Sequence, residues 1–189
     1  RVIGVPVRCA EYVPQGVADF VRLPCSAIAQ PVRSLSTFLL SGREVEIAAP
    51  GYVVRRERLD QQLTAEAQAA GAILWCDSRA AALEKDSVLV LREGRPVRVR
   101  ASVVVGADGP RSLTAAWLGN PDQVAAVGAQ YTVELARPLH RAEIHFDRDL
   151  PGGYGWVFPK GDLANVGVAV DREFRRRPKE ALELFTARL

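Results

Sequence analysis

Three short stretches of this sequence carry residues whose types and spacing could do chemistry. The first is VVVGADGPRS, residues 103–112. An apolar run ends at Gly106, an aspartate follows in a glycine turn, and a short helix is expected just beyond. Glycine lets backbone approach a ligand closely, and a helix N-terminus presents unpaired N–H groups to phosphate. Asp108, held by Gly106 and Gly109, is placed to accept hydrogen bonds from ribose hydroxyls. A plain Asp-Gly turn is the simpler alternative; the long apolar run before it and Arg111-Ser112 after it favour a nucleotide. The second stretch is YGWVFP, residues 154–159. Alternate positions on a strand face one way, so Tyr154, Trp156 and Phe158 form an aromatic wall. Such a wall suits an apolar ligand, with polar atoms on Tyr and Trp to orient it, although an aromatic-rich core strand would look the same. The third is Arg56, which opens a helix and, taken alone, reads as a solvated first-turn residue.

Other polar residues form no comparable constellation. His140 and His145 have no cysteine close by, so a metal site is not expected. Glu11 and Asp60 read as isolated carboxylates, and Ser36 and Ser112 have no identifiable histidine partner. The basic run DREFRRRPKE (171–180) reads as a solvated loop before a helix, and leaves open a peripheral contact with a membrane surface. A net charge of +3 is too small to imply nucleic acid. Three cysteines without a C-x-x-C pair suggest neither a disulfide framework nor structural zinc, and fit a reducing, cytoplasmic compartment. No apolar run approaches the roughly 18 residues of a membrane span. The chain has no methionine, even at position 1, and reads as a fragment of a longer frame.

The elements that must position these residues follow from periodicity. The first thirty residues are loop-like. Residues 32–40 and 43–49 read as strands, then a Pro50-Gly51 turn and a short strand at 52–54. RRERLDQQLTAEAQAAG gives a helix, with Leu59, Leu63, Ala67 and Ala70 at helical spacing and Gly71 as its stop. AILWC (72–76) reads as a buried strand, so strand, helix and strand suggest a βαβ unit on a mostly parallel sheet. VLVLR and PVRVR make a hairpin around Glu93-Gly94, and SVVVG (102–106) reads as a strand buried on both faces. After LTAAWLG, a short helix, the texture turns antiparallel from Pro121, and a last helix begins near Pro178.

With these elements in hand, the chain resembles the FAD-dependent oxidoreductases of para-hydroxybenzoate-hydroxylase-like fold. GADGPRS (106–112) is similar to their G-[AG]-D-G-x-x-S segment at the flavin nucleotide site. RRERLDQQLTAEAQAAGA resembles their R-x-x-[FL]-D-x-x-L-x-x-x-A-x-x-x-G-A stretch. There Arg56 falls on the position whose guanidinium contacts the cofactor, and Ala80 lies near the backbone that cradles the adenine side. Both ends resemble one family, the geranylgeranyl reductases. GVPVRCAE (4–11) is similar to G-x-P-V-x-C-[AG]-E-G, which would set Cys9 and Ala10 against the flavin; Tyr12 replaces the last glycine. Tyr154-x-Trp156-x-Phe158-Pro159 followed by Gly167 is similar to Y-x-W-x-F-P…G-x-G, with Ala169 replacing the last glycine.

The resemblance implies an α/β fold, α+β overall. An incomplete Rossmann-like FAD-binding domain (1–29 and 55–119) would be interleaved with an antiparallel substrate sheet (30–54 and 120–189). It implies a flavin reductase, fed by NAD(P)H or another donor, that delivers hydride to a C=C bond of a prenyl or other apolar substrate. Cys9, Ala10, Arg56, Ala80, Asp108 and Gly109 would serve the cofactor, and Tyr154, Trp156, Phe158, Pro159 and Gly167 the substrate. No proton donor is identified. The alternatives are a flavin monooxygenase of the same fold and a non-catalytic apolar-ligand module. The class also needs a G-x-G-x-x-G strand turn for the pyrophosphate. This chain has none, so the piece alone is expected to be inactive and to bind FAD weakly.

Overall fold

A computed structural model describes residues 2–120, 126–171, 173 and 177–189 of the chain. In chain order the elements are β1 (Tyr12–Pro14), β2 (Ile28–Phe38), β3 (Glu44–Val54), α1 (Arg56–Ala69), β4 (Ser78–Leu83), β5 (Ser87–Arg92) and β6 (Arg95–Arg100). There follow α2 (Leu113–Trp117), β7 (Ala126–Glu134), β8 (Ala142–His145), β9 (Tyr154–Lys160), β10 (Leu163–Asp171) and α3 (Pro178–Thr186). They fall into two compact units, a larger one from Ile3–Ala70 and Ala126–Leu189 and a smaller one within Gly71–Ala125.

The larger unit is one seven-stranded sheet in the order β1-β3-β2-β8-β9-β10-β7. Every pairing is antiparallel except β2 with β8. Strand β10 shows how the sequence makes two different faces. Ala164, Val166, Val168 and Val170 pack with Val157 and with Leu182 and Phe185 of α3. Asn165, Gly167 and Ala169 alternate onto the opposite face. Strand β9 follows the same rule, with Gly155 and Val157 toward α3 and Tyr154, Trp156 and Phe158 away from it. Pro178 opens α3 at a position where its fixed φ suits a helix and its missing N–H is not needed. Burial of Leu182 and Phe185 then anchors the helix, at roughly 1.5–3 kcal/mol each. Gly155 makes room for that anchor, since a Cβ there would lie 2.6 Å from the Phe185 Cζ.

Helix α1 forms where its periodicity predicts. Leu59 buries beside Ala27 and Val54, and Gly71 ends the helix with φ +96. The Pro50-Gly51 turn does not form: β3 runs straight through both residues, and a register shift between Val32 and Ser34 on β2 absorbs the irregularity. Gly51 is required for a different reason. A Cβ on it would lie 2.5 Å from the Val13 carbonyl oxygen and 2.8 Å from the Tyr12 ring, which crosses β3 there to donate its hydroxyl to Ala49 O at 3.1 Å.

In the smaller unit, β4, β5 and β6 form an antiparallel sheet. The β5–β6 hairpin turns at Glu93 and Gly94, both at positive φ (51 and 78), as a two-residue turn matched to strand twist demands. Two expectations fail in this unit. Residues 72–76 and 102–106 are not strands; the strand after α1 is β4, and no βαβ unit forms. A parallel strand is held by ladders from its neighbours. Among the described residues nothing pairs with these two runs, so Ile73 (86% exposed) and Val105 (83%) face outward rather than into a core. Of the basic run at 171–180, residues 172 and 174–176 lie outside the described residues. Among those described, no helix is long and apolar enough to cross a membrane.

Candidate functional site

On the sheet face opposite α3, the segment Val7–Ala10 and the rings of β9 border one cavity of about 670 Å³. Tyr154, Trp156 and Phe158 line it together with Cys9, Ala10, Gln130, Ile144 and Ala169. Two ring pairs lie along it: Tyr154 and Trp156 centroids are 6.1 Å apart, and Tyr12 packs at 5.8 Å from Phe158. One glycine seats the indole. Gly167 lies opposite Trp156 across the β9–β10 ladder, and a Cβ on it would be 2.2 Å from the indole Cζ2. Gly128 on β7 answers the backbone instead: a Cβ there would lie 3.0 Å from the Val168 carbonyl oxygen and only in ordinary contact, 3.8 Å, with the indole Cη2. Gly167 thus supports the wall from behind, and Pro159 is fully buried; neither is among the residues lining the cavity. Tyr12, where the reductase pattern has glycine, turns its ring over Gly51 and does not line the cavity either.

The segment that carries Cys9 is held in place by side chains that the sequence did not single out. Gln130 accepts the Trp156 indole N–H at 3.0 Å and donates to the Cys9 carbonyl at 3.3 Å, so it links wall and segment. Glu11, read from sequence as isolated, is only 3% exposed and paired with Lys160 at 2.5 Å. Its other contacts are the Asn165 side chain (2.7 Å) and the Arg56 backbone N–H (2.8 Å). Lys160 was detectable: it is the next position after Phe158 in the alternation along β9. Gln130 and Asn165 had no signal, because their roles exist only once β7 and β10 pair.

Arg56 borders a second, smaller cavity of about 290 Å³ with Gly4–Cys9 and Asp60. Its Nε donates to Asp60 at 2.7 Å, which holds the guanidinium protonated, and its Nη1 lies 3.6 Å from the Cys9 sulfur. The approach of Gly4 to α1 makes this possible: its φ is +76, and a Cβ would stand 2.7 Å from the Glu57 Cα. Cys9, Ala10, Arg56 and the ring wall therefore sit in one unit.

Asp108, Gly109 and Ala80 belong to the smaller unit. Asp108 and Gly109 border a cavity of about 950 Å³ with Val104–Gly106, Pro110, Ser112 and neighbours from α2. The Asp108 carboxylate accepts the Ser112 hydroxyl at 2.5 Å and the Leu113 and Thr114 N–H groups at 2.7 and 3.4 Å. The Ser112 bond holds this carboxyl below the usual aspartate range; burial opposes it, and the helix N–H groups add to it. Asp108 thus ties the start of α2, a duty that occupies part of its acceptor capacity. Gly106 is a packing glycine, since its Cβ would meet the Thr114 Cβ at 2.5 Å. Gly109 has φ +79 and open space around it. Ala80 lies exposed on β4 and does not line the Asp108 cavity.

Known proteins resemble this chain in sequence and in fold. Residues 126–189, which include both strands around the indole, match the family model described as geranylgeranyl reductase catalytic domain. The chain is 34% identical to digeranylgeranylglycerophospholipid reductase of Methanocaldococcus jannaschii, over 97% of the chain and 50% of that protein. It is 38% identical to digeranylgeranylglycerophospholipid reductase 1 of Methanopyrus kandleri, over 89% and 48%. It spans about half the length of the relatives it matches. Among solved structures, a geranylgeranyl bacteriochlorophyll reductase-like protein of Thermoplasma acidophilum superposes with a TM-score of 0.89 at 28% identity, covering 98% of this chain and 53% of that one. A flavin-dependent brominase shares the fold alone (TM-score 0.74, 18% identity, 96% and 53% covered). Along the half of those relatives' length that it spans, the chain is similar to the geranylgeranyl reductases, and its mixed α/β architecture is of the flavin-dependent oxidoreductase type.

Proposed function

We propose that the chain supplies cofactor-facing and substrate-facing surfaces of an FAD-dependent reductase that saturates C=C bonds of an isoprenoid chain. One observation carries this reading: the Cys9-Ala10 segment and the Tyr154–Trp156–Phe158 wall border the same cavity. Its lining is mostly apolar, with Arg8 the only charged side chain there among the described residues, which suits a hydrocarbon chain. The relatives named as reductases of a digeranylgeranyl glycerophospholipid support a lipid-borne prenyl chain as substrate class. A lipid of that kind also gives the basic run at 171–180 a use, in contact with a membrane surface.

The residues present fit a flavin dinucleotide chemically. Arg56 has N–H donors left beyond those on Asp60 and Cys9, and Gly109 offers an open turn that backbone-close ligands require. In this reading Arg56 serves the nucleotide and Cys9 and Ala10 lie against the ring, while within the smaller unit Asp108, Gly109 and the Ala80 backbone are proposed cofactor contacts. Tyr154, Trp156 and Phe158 bear on the substrate, with Gly167 and Pro159 behind them. Residues 1–29 and 55–119 then serve the cofactor, and 30–54 and 120–189 the substrate. A flavin held there would supply the hydride, once reduced by NAD(P)H or another donor, and a proton added to the neighbouring carbon would complete the saturation. The chain orients the double bond against the rings and keeps water from the cavity.

Trp156→Ala in the full-length protein tests the assignment. Turnover of a prenyl lipid should fall by roughly a hundred-fold, as misplaced substrate does, while flavin content stays intact. Loss of flavin, or unchanged turnover, would return the strand to the role of a core element.

A further inference from the structure

Glu11 closes the segment that carries Cys9, and its backbone sits at φ 73. A non-glycine residue holds that left-handed conformation only where its surroundings impose it. Here they do. Oε1 accepts the Arg56 N–H at 2.8 Å, while Oε2 accepts Asn165 Nδ2 at 2.7 Å and Lys160 Nζ at 2.5 Å. The Glu11 carbonyl accepts the Val54 N–H at 2.8 Å. Asn165 is itself fixed: Nδ2 also reaches the Ala10 carbonyl at 3.2 Å, and Oδ1 accepts the Thr132 hydroxyl at 3.0 Å. The result is a buried carboxylate bonded to three separate elements.

Lys160 ends the strand that carries the three rings, and Glu11 ends the segment that carries Cys9. One ion pair therefore joins two cavity-lining segments 149 residues apart in sequence. A buried ion pair is no stronger a source of stability than well-packed apolar residues would be. What it adds is direction, because each oxygen must meet particular donors at short range. We propose that Glu11 is a positioning residue: its latch on Lys160 and Asn165 fixes the Cys9-Ala10 segment against the ring wall. The proposal rests on reading this cavity as the reacting site, and its latch can be tested apart from that reading.

The probe is iodoacetamide alkylation of Cys9 in the folded full-length protein, followed by mass spectrometry of the Cys9 peptide. Exposed Cys25 and Cys76 serve as internal references. Glu11→Gln should raise the Cys9 rate by roughly ten-fold or more, since a freed segment opens more often. That variant leaves Lys160 without its counter-charge and risks misfolding. The double variant Glu11→Gln with Lys160→Met removes both charges, keeps the volume, and should remain folded with fast Cys9 alkylation. In it, kcat for a prenyl lipid should drop by about ten-fold at unchanged KM, the pattern of a lost transition-state alignment. A folded double variant that alkylates like the parent overturns the latch, and fast alkylation with unchanged kcat overturns its role in positioning. If alkylation responds while the parent protein never turns over a prenyl lipid, the latch stands and the proposed function fails.

Discussion

Replacing Gly167 by alanine isolates the steric relation that keeps the indole in the cavity wall. The added Cβ would lie 2.2 Å from Cζ2 and 2.4 Å from Cε2 of Trp156, and 2.9 Å from the Ala129 carbonyl oxygen. The ring cannot remain where it is. Rotating it away gives up its hydrogen bond to Gln130, 3.0 Å long, and with it the link from wall to Cys9 carbonyl. Overpacking costs about 1–3 kcal/mol and a lost hydrogen bond about 1 kcal/mol, for about 2–4 kcal/mol together. With Trp156 already changed to alanine the main obstacle is gone. Alanine's backbone advantage over glycine in a strand then offsets the remaining contact, and the same change should cost under about 1 kcal/mol. Urea unfolding of the parent, both single variants and the double variant in full-length protein closes the cycle, with a coupling of about 2 kcal/mol expected. An undiminished cost in the Trp156→Ala background would refute the reasoning, as would a neutral Gly167→Ala.

Three further outcomes follow from the same geometry. Gly4→Ala puts a Cβ 2.7 Å from the Glu57 backbone at φ +76, whereas Gly42→Ala meets open space at φ +79. Thermal unfolding should therefore show Gly4→Ala costing about 1–3 kcal/mol more than Gly42→Ala, and equal costs would show that the segment yields. Burial pushes the Glu143 carboxyl up, but hydrogen bonds from His145 and Arg141 outweigh it and leave the group below the ordinary 4.5. A depressed carboxylate contributes stability above the ordinary value and loses it as pH falls through the lower, folded value. Urea midpoints of Glu143→Gln should accordingly fall less steeply than the parent's on acidification below 4.5, and parallel curves would contradict this. Asp108→Asn, which keeps one acceptor for the start of α2, should lower flavin content in full-length protein more than it lowers α-helical circular dichroism. Equal losses would reduce Asp108 to a cap.

How much of this was legible beforehand depended on whether a residue's partner was local. The alternation of Tyr154, Trp156 and Phe158 survived because strand alternation needs no knowledge of neighbours. The hairpin at Glu93-Gly94 and helix α1 were legible for the same reason. The apolar runs 72–76 and 102–106 misled because their pattern reports burial in a parallel sheet, and no ladder pairs them among the described residues. Pro50-Gly51 misled differently: the glycine answers a crossing ring from Tyr12, a contact 39 residues away in sequence that no turn rule describes. Glu11, Gln130 and Asn165 were invisible as a site because long-range sheet pairing alone brings them together. Cys9 and Arg56 were flagged by resemblance, and their proximity came from the close approach of Gly4 to α1.

A cavity that presents a prenyl chain to a flavin would let the lipid itself reoxidise that flavin. The most direct measurement is made on full-length protein with its flavin chemically reduced under anaerobic conditions. Addition of a geranylgeranyl glycerophospholipid should return the oxidised flavin absorbance and yield saturated lipid, and Trp156→Ala should slow that return at equal flavin content. A flavin that stays reduced with the lipid and is reoxidised only by oxygen would contradict the account.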